Sequence, residues 1–110
     1  MTTATVIPLA DGFLLECSGH AGYDAKEKDI VCAGVSALCM AMETVIGELA
    51  DEGCAEDVHK HAADGYFSIE AHVPDGDPIA GERIGTVFRT VSAGLAAIEA
   101  LYPDHVQLID

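Results

Sequence analysis

Along this chain the apolar residues switch twice from strand-like alternation to a helical stride, and the switches mark out its elements. Residues 2 to 9, "TTATVIPL", and 13 to 18, "FLLECS", read as two short strands. Asp11-Gly12 between them predicts a tight hairpin, because the positive φ angles of a type I′ turn suit that dipeptide. Pro8 cannot donate to a strand ladder, so it predicts an edge position or a bulge in the first strand. From Val31 the period changes. Val31, Val35, Leu38, Met42, Val45 and Leu49 recur at steps of four and three, one face of an α-helix. Asp29 stands where an N-cap belongs, its carboxylate able to accept from the unpaired N–H groups of the first turn. Gly53 is the expected stop. Gly47 costs about 1 kcal/mol relative to alanine inside a helix, and so predicts a close packing contact.

Residues 57 to 62 and 66 to 73 predict a second hairpin around Asp64-Gly65. In "YFSIEAHV" the residues Phe67, Ile69, Ala71 and Val73 share one face, which should be buried. "PDGDP" interrupts the pattern, and Asp77-Pro78 suits an N-cap followed by the first helical residue. The second helix carries Ile84, Val87, Val91, Leu95, Ile98 and Tyr102 on its stripe and ends at Pro103. "HVQLI" is the closing strand. The order ββαββαβ predicts an α+β fold, with two helices packed on a mixed, mostly antiparallel sheet.

Length and charge narrow the partners. The 110 residues fit a single domain spanning the chain (1–110), with one small core and no repeat or linker. Nineteen acidic residues against five Lys and Arg give a formal charge of −14. That balance argues against nucleic acid and against anionic membrane surfaces, since both need cations to neutralise phosphates. The N-terminus lacks a basic region followed by an apolar stretch, and no run approaches the roughly 18 apolar residues of a membrane span. Neither a signal peptide nor a membrane segment is expected. The four cysteines, Cys17, Cys32, Cys39 and Cys54, are therefore expected as reduced thiols in a cytoplasm.

The candidate chemistry lies in "GHAGYDAKEKDIVCAG", residues 19 to 34. With Asp29 as N-cap, Cys32 falls in the first helical turn, where unpaired N–H groups and the helix dipole favour an anion. The same N–H groups are candidate donors to an oxyanion formed beside the sulfur. His20 ends the second strand, and residues 21 to 31 are enough chain to fold it back over the helix start. An imidazole there would take the thiol proton and return it to a leaving amine. Ser36 lies one turn further along the same edge of the helix. By spacing alone, a buried cysteine and a turn histidine explain the same residues.

"GHA", a short loop and "DIVCAGVSAL" resemble the signature of the ribosomal-processing cysteine proteases, the Prp family. The helix "VFRTVSAGLAAIEALYP" and the final "HVQL" are similar to that family in order and spacing, so the resemblance covers essentially the whole chain. It implies that His20 is the catalytic histidine and Cys32 the nucleophile, with Asp29 and Ser36 in supporting positions. It also implies a cysteine endopeptidase that removes the N-terminal extension of a large-subunit ribosomal protein, number twenty-seven of its series. Members are cytoplasmic homodimers with a mobile loop between histidine and cysteine, and no cofactor is expected. Here the loop holds Gly22, Tyr23, Asp24, Lys26, Glu27 and Lys28, and Lys28 replaces the glycine usual before Asp-Ile-Val-Cys. The loop is expected to be mobile without ligand and to close over a bound peptide. An acidic enzyme would also meet a basic ribosomal protein faster.

Two other classes fit parts of the sequence. His59 and His61 share one side of a strand, as zinc-binding His-x-His pairs do. Glu70 lies opposite His59 if Asp64-Gly65 is a two-residue turn, but no fourth ligand is evident. Cys17-Ser-Gly-His20 has a metal-like spacing without a matching downstream pair. A non-catalytic acidic interaction module is the remaining alternative. Cys39 is expected in the core, Cys17 on a strand and Cys54 in an accessible loop.

Overall fold

The computed structural model describes residues 1–25 and 28–110, so Lys26 and Glu27 of the expected mobile loop lie outside the described residues. The elements are β1 (Thr2–Leu9), β2 (Gly12–Ser18), α1 (Ile30–Asp51), β3 (Glu56–Ala63), β4 (Tyr66–His72), α2 (Pro78–Leu101) and β5 (Val106–Ile109). They form the predicted ββαββαβ order. The five strands stand in the order β3-β4-β2-β1-β5, with every neighbouring pair antiparallel except β1 and β5. Beyond Thr5, β1 has no β5 partner, so Pro8 sits on a local edge as its missing N–H requires.

One face of the sheet is apolar and carries both helices. Ala4, Leu15, Ile69, Ala71 and Val106 are buried against Met42 and Ile46 of α1 and Ile84, Phe88 and Leu95 of α2. The Phe13 and Phe88 rings stack there with centroids 5.3 Å apart. Phe88 stands outside the stripe read from the sequence. On α1 the buried line is Val31, Val35, Cys39, Met42, Ile46 and Leu49, so Cys39 and Ile46 replace Leu38 and Val45. Leu38 turns instead towards α2, where a Cβ added at Gly94 would meet its Cδ2 at 2.8 Å. Val45 is exposed. Gly47 packs against nothing: a Cβ there would meet open space, contrary to the expected contact.

The first hairpin also differs from expectation. Leu9 pairs with Gly12, which makes Ala10-Asp11 the turn, and neither of these has a positive φ. No type I′ turn forms on Asp11-Gly12. The second hairpin turns on Asp64-Gly65 as expected, with Ala63 opposite Tyr66 and a φ of +71° at Gly65. By length and composition alone, both helices are apolar enough to cross a membrane, which corrects the earlier count of apolar runs. Here each lays its apolar stripe on the sheet.

Candidate active site

Two local devices fix the histidine. β2 ends at Ser18, and the Thr2 hydroxyl donates to the Gly19 carbonyl at 3.0 Å. The Gly19 N–H donates to the Gly65 carbonyl at 2.8 Å, tying the strand end to the β3–β4 turn. His20 follows immediately. Half of its side chain is exposed, and its Nε2 lies 3.6 Å from Asp64 Oδ2.

The cysteine is placed by the cap. Asp29 adopts extended backbone (φ −79°, ψ 96°), and its Oδ1 accepts from the Cys32 N–H at 2.8 Å. Its Oδ2 accepts from the Tyr23 N–H at 3.0 Å. Asp29 is buried, yet the Cys32 N–H above all, with the Tyr23 N–H adding to it, holds the carboxyl below its ordinary range against the opposing effect of burial. The Ala33 N–H donates to the Asp29 carbonyl at 3.0 Å. The first-turn donors of Cys32 and Ala33 are thus engaged, and the oxyanion role expected of the first-turn N–H groups does not fall to them.

A carboxyl whose folded-state pKa is depressed contributes stability above its unfolded value, and that stability is lost as pH falls through the folded value. Asp29→Ala should therefore lower Tm at pH 7 by about 4–8 °C, through loss of the cap and of the Tyr23 tie. The gap between parent and variant should shrink below about pH 4, near the unfolded carboxyl pKa. Thermal melts at pH 7 and pH 3 check both statements.

The ends of β2 and α1 and the β3–β4 hairpin enclose a cleft of about 440 Å³. His20, Cys32 and Ser36 all line it, with Val35, Met40 and Phe67 as apolar wall and Glu43 and Asp64 as carboxylates. Cys32 is half-buried and Ser36 exposed. No hydrogen bond joins His20 to Cys32 among the described residues. Gly22, Tyr23, Asp24 and Lys28 stand outside the lining. The Tyr23 ring instead packs edge-on against Tyr102 and His105, at 5.2 and 5.4 Å between centroids. His105 Nδ1 donates to the carbonyl of buried Ala21 at 3.0 Å.

The other candidates take plainer places. Cys17 and Cys39 are buried with sulfurs 3.8 Å apart, and the contact with Cys39 together with burial pushes the Cys17 thiol up. All four cysteines are free thiols. Glu70 does pair with His59 across the second hairpin, as the two-residue turn requires. Its carboxylate, however, is 2.5 Å from His72 Nε2, and His72 Nδ1 is 2.7 Å from Asp11. Glu70 first, then Asp11, raises the His72 pKa above its ordinary value. Among the described residues no group of three His, Cys, Asp or Glu could hold a metal ion.

Thr2, Asp64 and Gly65 escaped the sequence reading as site residues. Their signal was the strand register: Ser18 pairs with Tyr66, which sets the β3–β4 turn beside the residue after Ser18.

The chain matches the family description "Cysteine protease Prp" over residues 1–107. Its fold is similar to that of the essential ribosomal processing protease Prp from S. aureus, in complex with a covalently linked product peptide. The two are 21% identical, over 99% of this chain and 98% of that one, with a TM-score of 0.76. The same S. aureus protease in complex with a substrate peptide gives 21% identity over 98% and 97%, with a TM-score of 0.68. SMU.848 from Streptococcus mutans is 25% identical over 99% and 92%, with a TM-score of 0.69. No curated protein matches the sequence. Because the family match runs from β1 through both helices into β5, it is the whole domain, rather than a local motif around Cys32, that places this chain in the Prp family of cysteine proteases.

Proposed function

We propose that this protease removes the N-terminal extension of the large-subunit ribosomal protein numbered twenty-seven in its series, with Cys32 as nucleophile and His20 as its base. The observation that carries the reading is the shared cleft, which takes its nucleophile from a helix start and its base from a strand end. His20 accepts the Cys32 thiol proton, and the thiolate attacks the scissile carbonyl carbon. The tetrahedral intermediate collapses as His20 returns that proton to the leaving amine, leaving a thioester on Cys32. His20 then deprotonates a water molecule that hydrolyses the thioester. With the Cys32 and Ala33 N–H groups engaged by Asp29, the exposed Ser36 hydroxyl is the side-chain donor available to the oxyanion from the cleft.

Three observations support this substrate. The S. aureus protein of similar fold is a ribosomal processing protease. The apolar wall of the cleft suits an uncharged peptide side chain. The charge of −14 speeds encounter with a basic ribosomal protein. In this reading the enzyme works in the cytoplasm as a homodimer. Gly22, Tyr23, Asp24 and Lys28 belong to a segment that closes over the bound peptide, which brings His20 into contact with Cys32.

Incubating the reduced protein with the ribosomal protein, with and without its extension, tests the proposal. Mass spectrometry should show the extended form shortened at a single bond and the short form untouched. An extended form still intact after many hours would overturn the substrate assignment.

A further inference from the structure

A base that must both take and return a proton needs its ring held, and Asp29, the carboxylate in a supporting position, is already engaged by the backbone. Both carboxylate oxygens of Asp29 accept backbone N–H groups, from Cys32 and from Tyr23. The β3–β4 turn faces His20 instead. Asp64 Oδ2 lies 3.6 Å from Nε2. The ring rests over Gly65 so closely that a Cβ there would meet Nε2 at 3.0 Å and Cδ2 at 3.3 Å. The Gly19–Gly65 backbone hydrogen bond clamps the same turn to the residue before the histidine.

From these contacts we infer that Asp64 is a positioning residue for His20, holding the imidazole by its Nε2 edge and leaving Nδ1 to exchange the proton with Cys32. The inference rests on the proposed Cys32–His20 mechanism. At 3.6 Å the contact stands just outside hydrogen-bond length. A small shift of the turn closes it to an Nε2–H donor, and the Asp64 charge strengthens it further when His20 takes the thiol proton and becomes a cation, which is the state catalysis must stabilise. Asp64 is exposed, so its effect is modest rather than absolute. Gly65 is what makes the arrangement possible. It leaves room for the ring, and its φ of +71° turns the chain so that Asp64 and its own carbonyl both reach the β2 end.

The direction of the effect separates positioning from simple charge. Deleting a carboxylate from the cleft would by itself favour the Cys32 thiolate and raise activity. Loss of a positioning contact lowers it. Asp64→Ala should reduce kcat about five- to tenfold while KM stays within about twofold, because the lost contact matters in the transition state. Asp64→Asn keeps an oxygen that accepts from Nε2 and should recover at least half of the loss. Asp75→Asn, an exposed change in the β4–α2 loop, should leave kcat unchanged. The second readout needs no substrate: NMR relaxation of the His20 Cδ2–H vector in the unliganded protein. The ring should be ordered in the parent and in Asp64→Asn, and should gain motion in Asp64→Ala. Unchanged kcat in Asp64→Ala, an equal deficit in Asp64→Asn, or unchanged ring order would overturn the inference. If the parent leaves the ribosomal protein uncut, the proposed function fails, and the ring-order comparison still decides whether Asp64 holds His20.

Discussion

Replacing Cys32 with alanine should abolish cleavage of the extended ribosomal protein and leave a folded protein behind. The two halves of that expectation have separate causes. Asp29 caps α1 through the backbone N–H of Cys32 and not through its sulfur, so the cap survives the change. Alanine is also the strongest helix former, and the Cys32 side chain is only half-buried. Tm should therefore stay within about 4 °C of the parent, the shift set by roughly 1 kcal/mol or less. Turnover has no comparable refuge. Without a nucleophile the thioester route is closed, and kcat should fall by at least about 10⁴-fold, on the scale seen when a nucleophile is deleted from other covalent proteases. Cys32→Ser should be nearly as inactive, because a hydroxyl is far harder to ionise than a thiol. Cys54→Ser should keep full activity, since Cys54 stands after α1 beside Arg83, away from the cleft. Rate assays with melts on the three variants check the set. An active Cys32→Ala protein would remove Cys32 from the mechanism.

What the sequence showed well was local. Asp29 and Asp77 were legible as caps because each side chain reaches N–H groups no more than three residues away. The stripe of α1 was legible as a helix but not in its rotation. Leu38, Cys39, Val45 and Ile46 are all apolar, so their order alone does not say which of them faces the sheet. That choice depends on α2, where Gly94 admits Leu38 and frees Cys39 and Ile46 for the sheet. The candidate site divides in the same way. His20 and Cys32 lie in one contiguous stretch and line one cleft, whereas Asp64 lies 44 positions past His20 and reaches it only through the β2–β4 register. The expected oxyanion donors are a related case. Asp29 reads as a cap, and in the structure that cap engages the Cys32 N–H, one of the first-turn groups that the sequence offers to the oxyanion.

Gly12 is the residue at which sequence and structure make opposite predictions. As the second residue of a type I′ turn it would need a positive φ, and asparagine would then be its best replacement. In the structure it begins β2, paired with Leu9 on one side and His72 on the other. A Cβ there would overlap the Ala71 carbonyl oxygen and lie 2.9 Å from His72 Cα. Both obstacles are backbone, so no side-chain rotation relieves them, and β2 must move away from β4 in the middle of the sheet. Gly12→Ala should cost about 3 kcal/mol, at the upper end for overpacking, and lower Tm by roughly 10 °C or more. Gly12→Asn should be at least as damaging, because it adds the same Cβ and more. The clash sits at the start of β2, whereas His20 follows its far end, roughly 20 Å away at the rise of a strand. At a temperature well below the lowered Tm, kcat should therefore remain within about twofold of the parent. Melts and rates at 15 °C for the two variants are the measurement. An asparagine variant more stable than the alanine one would restore the turn reading and show that the β2–β4 approach at Gly12 is not what demands glycine.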